Sequence, residues 1–157
     1  MGTRTSTSIE ETHQIAREVL EALQADDSIP GTGTIVALQG NLGAGKTVFV
    51  KGVAQTLGVI EEVTSPTFVI EKIYKLPEGG RWKQLVHIDA YRLEGEEELR
   101  AIDWGRVATD PGNLVMMEWP EQVGLGVPER AHWITFTVQD EHTRTIELPE
   151  TLEANEA

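Results

Sequence analysis

The eight residues GNLGAGKT at positions 40–47 constrain the fold of this chain more than any other stretch. They fill the pattern G-x-x-x-x-G-K-[S/T], which grips phosphate only where a strand runs into the loop and a helix leaves it. Both neighbours are present. TIVALQ (34–39) is a nearly continuous apolar run, as in a strand buried on both faces of a parallel sheet. KTVFVKGVAQTLG (46–58) places Phe49, Val53, Ala54 and Leu57 on one helical face, with Gly58 as terminator. With this chain's own residue usage, a chance match is roughly 0.5%. An incidental glycine-rich turn is the alternative, and strand, loop and helix in order make it the poorer one.

The chemistry of the loop follows from its backbone. Gly40, Gly43 and Gly45 permit an open loop whose N–H groups turn inward, and the helix after it adds its positive end. Lys46 is placed to reach β- and γ-phosphates, and Thr47 to offer its hydroxyl to magnesium. Two acids end apolar runs downstream: Asp89 closes LVHID and Glu118 closes LVMME. A parallel sheet gathers the C-terminal ends of its strands at one edge. If both runs are parallel to TIVALQ, Asp89 and Glu118 converge on Thr47; the alternative for each is a surface carboxylate at a strand end. In SPTF (65–68), Pro66 pushes Ser65 into an extended conformation. Thr67 is then either a switch sensing the γ-phosphate or a plain loop-to-strand transition, and spacing alone favours the plain reading. By type, His87 reads as a core histidine and Trp119 as packing.

Elsewhere, SIEETHQIAREVLEALQ (8–24) is an amphipathic helix, with Ile9, Ala16, Val19, Leu20 and Leu23 near helical spacing and Ser8-x-x-Glu11 as a capping box. Residues 25–33 are loop by composition. An extended segment at 65–76 and a strand at 81–91, joined by PEGG (77–80), predict an antiparallel hairpin. A helix is expected over 94–108 with Leu99, Ile102 and Val107 as core, then a strand at 114–119 stopped by Pro120. HWITFTV (132–138) and RTIEL (144–148) form a closing hairpin, and TLEANEA frays. The expectation is one domain over 1–157 with an ordered core at about 8–148.

Charge narrows the function classes. Asp and Glu total 26 against 13 Lys and Arg, a net of −13, whereas sequence-independent nucleic-acid binding needs many cations. The nearest basic group, Lys72, Lys75, Arg81 and Lys83, is interleaved with Glu71 and Glu78 and reads as a solvated hairpin. Cysteine is absent, which removes thiolate metal sites and is compatible with the cytoplasm. No apolar run approaches the ~18 residues of a membrane helix, and the N-terminus lacks a signal-like apolar segment. No N-K-x-D guanine reader occurs. A small-molecule kinase stays open as an alternative; its lid would draw on Arg92, Arg100 or Arg106 in a short acidic segment. A nucleotide-sensing scaffold with little turnover is a third reading.

Taken together and in this order, GNLGAGKT, SPTF, HIDAYRL and EWPE resemble the TsaE (YjeE) family, over about residues 8–148. The resemblance implies a P-loop NTPase-like, three-layer α/β sandwich whose central, mostly parallel sheet is flanked by antiparallel strands. It implies a cytoplasmic ATPase that hydrolyses ATP with magnesium and supports the TsaB and TsaD proteins in forming threonylcarbamoyladenosine at adenosine 37 of tRNAs reading codons that begin with A. It would meet tRNA only through that complex, have no membrane association, and be a monomer or weak oligomer alone. By the same resemblance, Gly40, Asn41, Leu42, Gly43, Ala44, Gly45, Lys46, Thr47 and Val48 hold the nucleotide. Thr47 and Glu118 are the magnesium ligands, Asp89 is the acid needed for hydrolysis alongside Lys46, Thr67 is the switch, and Trp119 is the tryptophan after the glutamate. Arg144 matches an arginine near the nucleotide, with Thr143 where the family has glycine, and the helix start near Ile9–Thr12 lies against the base.

Overall fold

The computed structural model describes residues 2–26, 31–41, 43–64 and 70–152. Their elements are β1 (Gly2–Ser6), α1 (Ile9–Ala25), β2 (Thr34–Gly40), α2 (Lys46–Thr56), β3 (Glu71–Lys75), β4 (Gln84–Asp89), α3 (Trp104–Thr109), β5 (Asn113–Glu118), β6 (His132–Val138) and β7 (Arg144–Leu148). The strands form one sheet in the order β1-β7-β6-β2-β5-β4-β3. Its centre, β6-β2-β5-β4, is parallel, while β7, β1 and β3 add antiparallel edges. This is the P-loop NTPase-like architecture that the sequence predicts.

The two-residue period of the strands sorts the core into two layers. Val36, Leu38, Leu85, Leu114 and Met116 face α1 and α2. Ile35, Ala37, Val86, Ile88, Val115 and Met117 face the opposite way, onto Leu93, Leu99, Ala108, Val123 and Val127. Burial on both faces explains why β2 and β5 read as unbroken apolar runs. Among the described residues no helix is long and apolar enough to cross a membrane.

Ser8 caps α1 as the sequence predicts, its Oγ accepting the Glu11 N–H at 3.0 Å. The Glu11 carboxylate closes the box on Thr7 instead of Ser8, accepting the Thr7 N–H at 3.4 Å and its hydroxyl. The buried face is Thr12, Ile15, Ala16, Val19, Leu20 and Leu23. Ile9, expected on that face, is 59% exposed; it is the first residue of α1 and lines an open cleft instead of the core.

Several elements differ from the expected ones. The hairpin pairs Glu71–Lys75 with Gln84–Asp89, so the second strand is shorter than the expected 81–91, and residues 65–69 of the first segment lie outside the described residues. The single helix over 94–108 is instead a 3-10 segment, Glu96–Ile102, followed by α3. Asp103 separates them at φ 54°, a left-handed conformation that aspartate tolerates and that stops helical hydrogen bonding. Leu99 is buried, whereas Ile102 and Val107 only half are. The strand β1 was not expected at all: GTRTS has no apolar alternation, and its pairing is set by β7, from Gly2↔Leu148 to Ser6↔Arg144. Beyond β7, Leu152 is 1% exposed and closes the core beneath α1.

Candidate functional site

Pleating puts Leu85, His87 and Asp89 on one face of β4, and Leu114, Met116 and Glu118 on the matching face of β5. Parallel register pairs His87 with Met116 and Asp89 with Glu118, and β2 brings Leu38 level with Glu118. The strand ends therefore meet at the first turn of α2, where Thr47 stands. Its Oγ1 donates to Glu118 at 3.1 and 3.2 Å from the two carboxylate oxygens. Glu118 Oε2 also lies 2.6 Å from His87 Nε2. Asp89 Oδ1 accepts the Tyr91 N–H at 2.9 Å, while the Asp89 N–H donates to the Ile70 carbonyl at 2.8 Å. Asp89 and Glu118 are 5% and 4% exposed, so neither is a surface carboxylate at a strand end.

The loop needs glycine for two different reasons. At Gly40 a Cβ would stand 2.6 Å from the Phe136 carbonyl oxygen of β6, so only glycine lets β2 pass. At Gly45, φ is +99° at the N-terminus of α2, a conformation that side chains resist. The Lys46 ammonium donates to the Gly40 carbonyl and lies 3.5 Å from the centroid of the Trp119 ring. Burial pulls the Lys46 pKa below its ordinary value, opposed by the negative charges of Glu118, Glu121 and Asp89. Trp119 is turned over the lysine by its own backbone at φ 59°, is tied to the Leu38 carbonyl at 3.3 Å, and meets the Tyr91 ring edge-on at 5.0 Å.

Beside the loop opens a cleft of about 240 Å³, walled by Ser6–Ile9 and Thr12 on one side, Glu141, His142 and Arg144 on the other, with Gly43, Gly45 and Val48 at its base. Arg144 Nε donates to the Gly43 carbonyl at 3.0 Å, and its Nη1 to the Asp140 carbonyl at 2.9 Å. The arginine thus fastens the β6–β7 turn to the phosphate loop. Asn41, Ala44 and Val48 lie in or beside that loop, Ala44 donating to the Asn41 carbonyl at 3.1 Å. Leu42 and Thr67 lie outside the described residues.

The model of the threonylcarbamoyl adenosine biosynthesis protein TsaE matches residues 6–146. The chain belongs to the TsaE family. The TsaE protein of Treponema pallidum is 40% identical over 114 residues, covering 73% of this chain and 80% of the relative. That of Mycobacterium bovis is 35% identical over 133 residues, covering 82% and 72%. Among solved structures, the crystal structure of Bacillus subtilis YdiB superposes with a TM-score of 0.64 at 28% identity, covering 92% of this chain and 82% of that one. The family is that of tRNA threonylcarbamoyladenosine biosynthesis.

This TsaE chain carries site residues that its sequence signals only faintly. His87 is fully buried as a core histidine should be, yet it bonds a strand-end acid; the signal was a polar residue two positions before Asp89, hence on the same face. Trp119 packs, as expected of its type, but against a lysine of the phosphate loop. Ser6 and Thr7 reach the cleft only because β1 pairs with β7, which no local pattern announces.

Proposed function

We propose that this TsaE-family protein is a magnesium-dependent ATPase that supports TsaB and TsaD in forming threonylcarbamoyladenosine on tRNA, and is not itself the transferase. The observation that carries the reading is the junction of Thr47 with Glu118, at 3.1 and 3.2 Å, one residue past Lys46 and at the end of a strand parallel to β2.

The donor set fits magnesium. Among the described residues no group of three or more acidic or histidine side chains could cage an ion. One hydroxyl and one carboxylate, both hard oxygen donors, suit an ion that keeps waters and takes phosphate oxygens for its remaining positions. Thr47 and Glu118 would hold it, and it would neutralise charge developing on the transferred phosphoryl group. Lys46 would leave the Gly40 carbonyl for the β- and γ-phosphates. The N–H groups at the start of α2 would bind phosphate oxygens in the same way as other helix N-termini. Asp89, its carboxylate held by the Tyr91 N–H, would orient the attacking water, with Thr67 as the switch that meets the γ-phosphate. The cleft beside Ile9, Thr12 and Arg144, open next to the loop, would take the nucleoside.

The test is phosphate release from ATP and magnesium by the purified protein, alone and with TsaB and TsaD. Slow release that rises with the partners and vanishes in Lys46→Ala supports the reading. Transfer of labelled phosphate to an acceptor other than water overturns it in favour of a kinase.

A further inference from the structure

We propose that His87 is a positioning residue for the metal site: its Nε2–H fixes the Glu118 carboxylate in the orientation that binds the cation. The inference rests on the reading of Glu118 as a magnesium ligand given above.

The imidazole sits in the middle of β4, 0% exposed, on the face that also carries Asp89. Its Nε2 lies 2.6 Å from Glu118 Oε2 on the neighbouring strand, a short hydrogen bond across the β4–β5 pairing. Nδ1 is buried and has no hydrogen-bond partner among the described residues. A carboxylate oxygen accepts, so the proton of this bond is carried on Nε2. The histidine thus donates to Glu118 from inside the sheet, across the paired strands β4 and β5.

Glu118 consequently has two donors on two sides, Thr47 Oγ1 from the helix and His87 Nε2 from within the sheet. The hydroxyl would itself be a ligand, so its bond to Glu118 would be given up to a bound cation. The bond from His87 needs no such exchange. It would hold the carboxylate with the metal bound, from a position already packed in the core and at no further ordering cost.

The experiment is the gain in ADP affinity conferred by magnesium, measured by calorimetry with and without the ion. The proteins are the wild type, His87→Met, His87→Gln and Glu118→Gln. His87→Met keeps volume and removes the donor, and the gain should fall by about tenfold. Glutamine places an amide N–H near the position of Nε2, so His87→Gln should retain the gain to within about threefold. Metal-free ADP binding should be the same in the wild type and both His87 variants. An unchanged gain in His87→Met overturns the proposal. So does a His87→Gln as impaired as His87→Met, or a parallel loss of metal-free ADP binding, which marks a purely structural role. If Glu118→Gln itself leaves the gain intact, the metal reading beneath the proposal fails. If Glu118→Gln loses the gain and His87→Met keeps it, only the role of His87 fails. Should His87→Met not fold, His87→Asn, whose amide is too short to reach Glu118, takes its place with the same expected loss.

Discussion

The ammonium of Lys46 lies 3.5 Å from the centroid of the Trp119 ring. A cation over an indole away from water is worth about 2 kcal/mol, so phosphate must compete with the ring, and with the Gly40 carbonyl, for this lysine. Nucleotide binding should therefore change the environment of Trp119 more than that of the other three tryptophans among the chain's four. The ADP-induced change in tryptophan emission is expected to be lost in Trp119→Phe and kept in Trp133→Phe. A full change in Trp119→Phe would mean that Lys46 stays on the ring.

Burial also sets how Lys46 responds to pH. Its pKa in the fold is below the ordinary 10.5 of the unfolded chain, with desolvation as the cause. Between those two values the unfolded state holds a proton that the folded state has shed. Stability contributed by this group then rises with pH, and it is lowest where the lysine is charged in both states. Compared with Lys46→Met, the wild type should gain relative stability as pH climbs toward 10.5. Urea unfolding of both proteins across the alkaline range checks the sign. A difference that shrinks or stays flat would show that Glu118, Glu121 and Asp89 outweigh desolvation.

The His87–Glu118 bond makes its own demand on stability. Glu118→Ala leaves a buried N–H without an acceptor, which costs about 1–3 kcal/mol; the same substitution in a His87→Met background leaves none. Glu118→Ala should thus be more destabilising in the wild-type background than in His87→Met by about that amount. Equal costs in the two backgrounds, within about 0.5 kcal/mol, would show that the 2.6 Å contact contributes nothing to folding.

Why the sequence discloses Thr47, Asp89 and Glu118 but not β1 or the break at Asp103 is a matter of where the information sits. The phosphate loop and the strand-end acids are written locally, as a glycine pattern and as apolar runs closed by a carboxylate, and parallel topology then forces those acids toward α2. GTRTS carries no period of its own, and only its hydrogen bonding to β7, far along the chain, makes it a strand. Residues 94–108 carry helical spacing, but the turn of Asp103 to φ 54° is decided by packing: Leu99 and Ala108 are buried in the same layer, with the Trp104 indole N–H on the Gly126 carbonyl at 2.8 Å. His87 was visible as a polar residue in a strand, yet which acid it would meet depends on register between β4 and β5, which sequence alone does not specify.

Arg144 joins two loops, the phosphate loop and the β6–β7 turn. Its Nε holds the Gly43 carbonyl at 3.0 Å, and its Nη1 holds the Asp140 carbonyl at 2.9 Å; both distances are ordinary for such bonds. Gly43 stands at φ +79°, so the arginine pins a loop residue in a conformation that glycine adopts readily and other residues resist. Arg144→Ala should weaken ADP binding by about tenfold, since about 1.4 kcal/mol, one hydrogen bond to a charged group, is a factor of ten. Arg144→Lys should not restore it, because one ammonium cannot reproduce the planar fork that reaches both carbonyls. The check is ADP affinity by calorimetry for both variants, with thermal unfolding alongside. Recovery by lysine would mean that the positive charge matters here and the bridge between the loops does not.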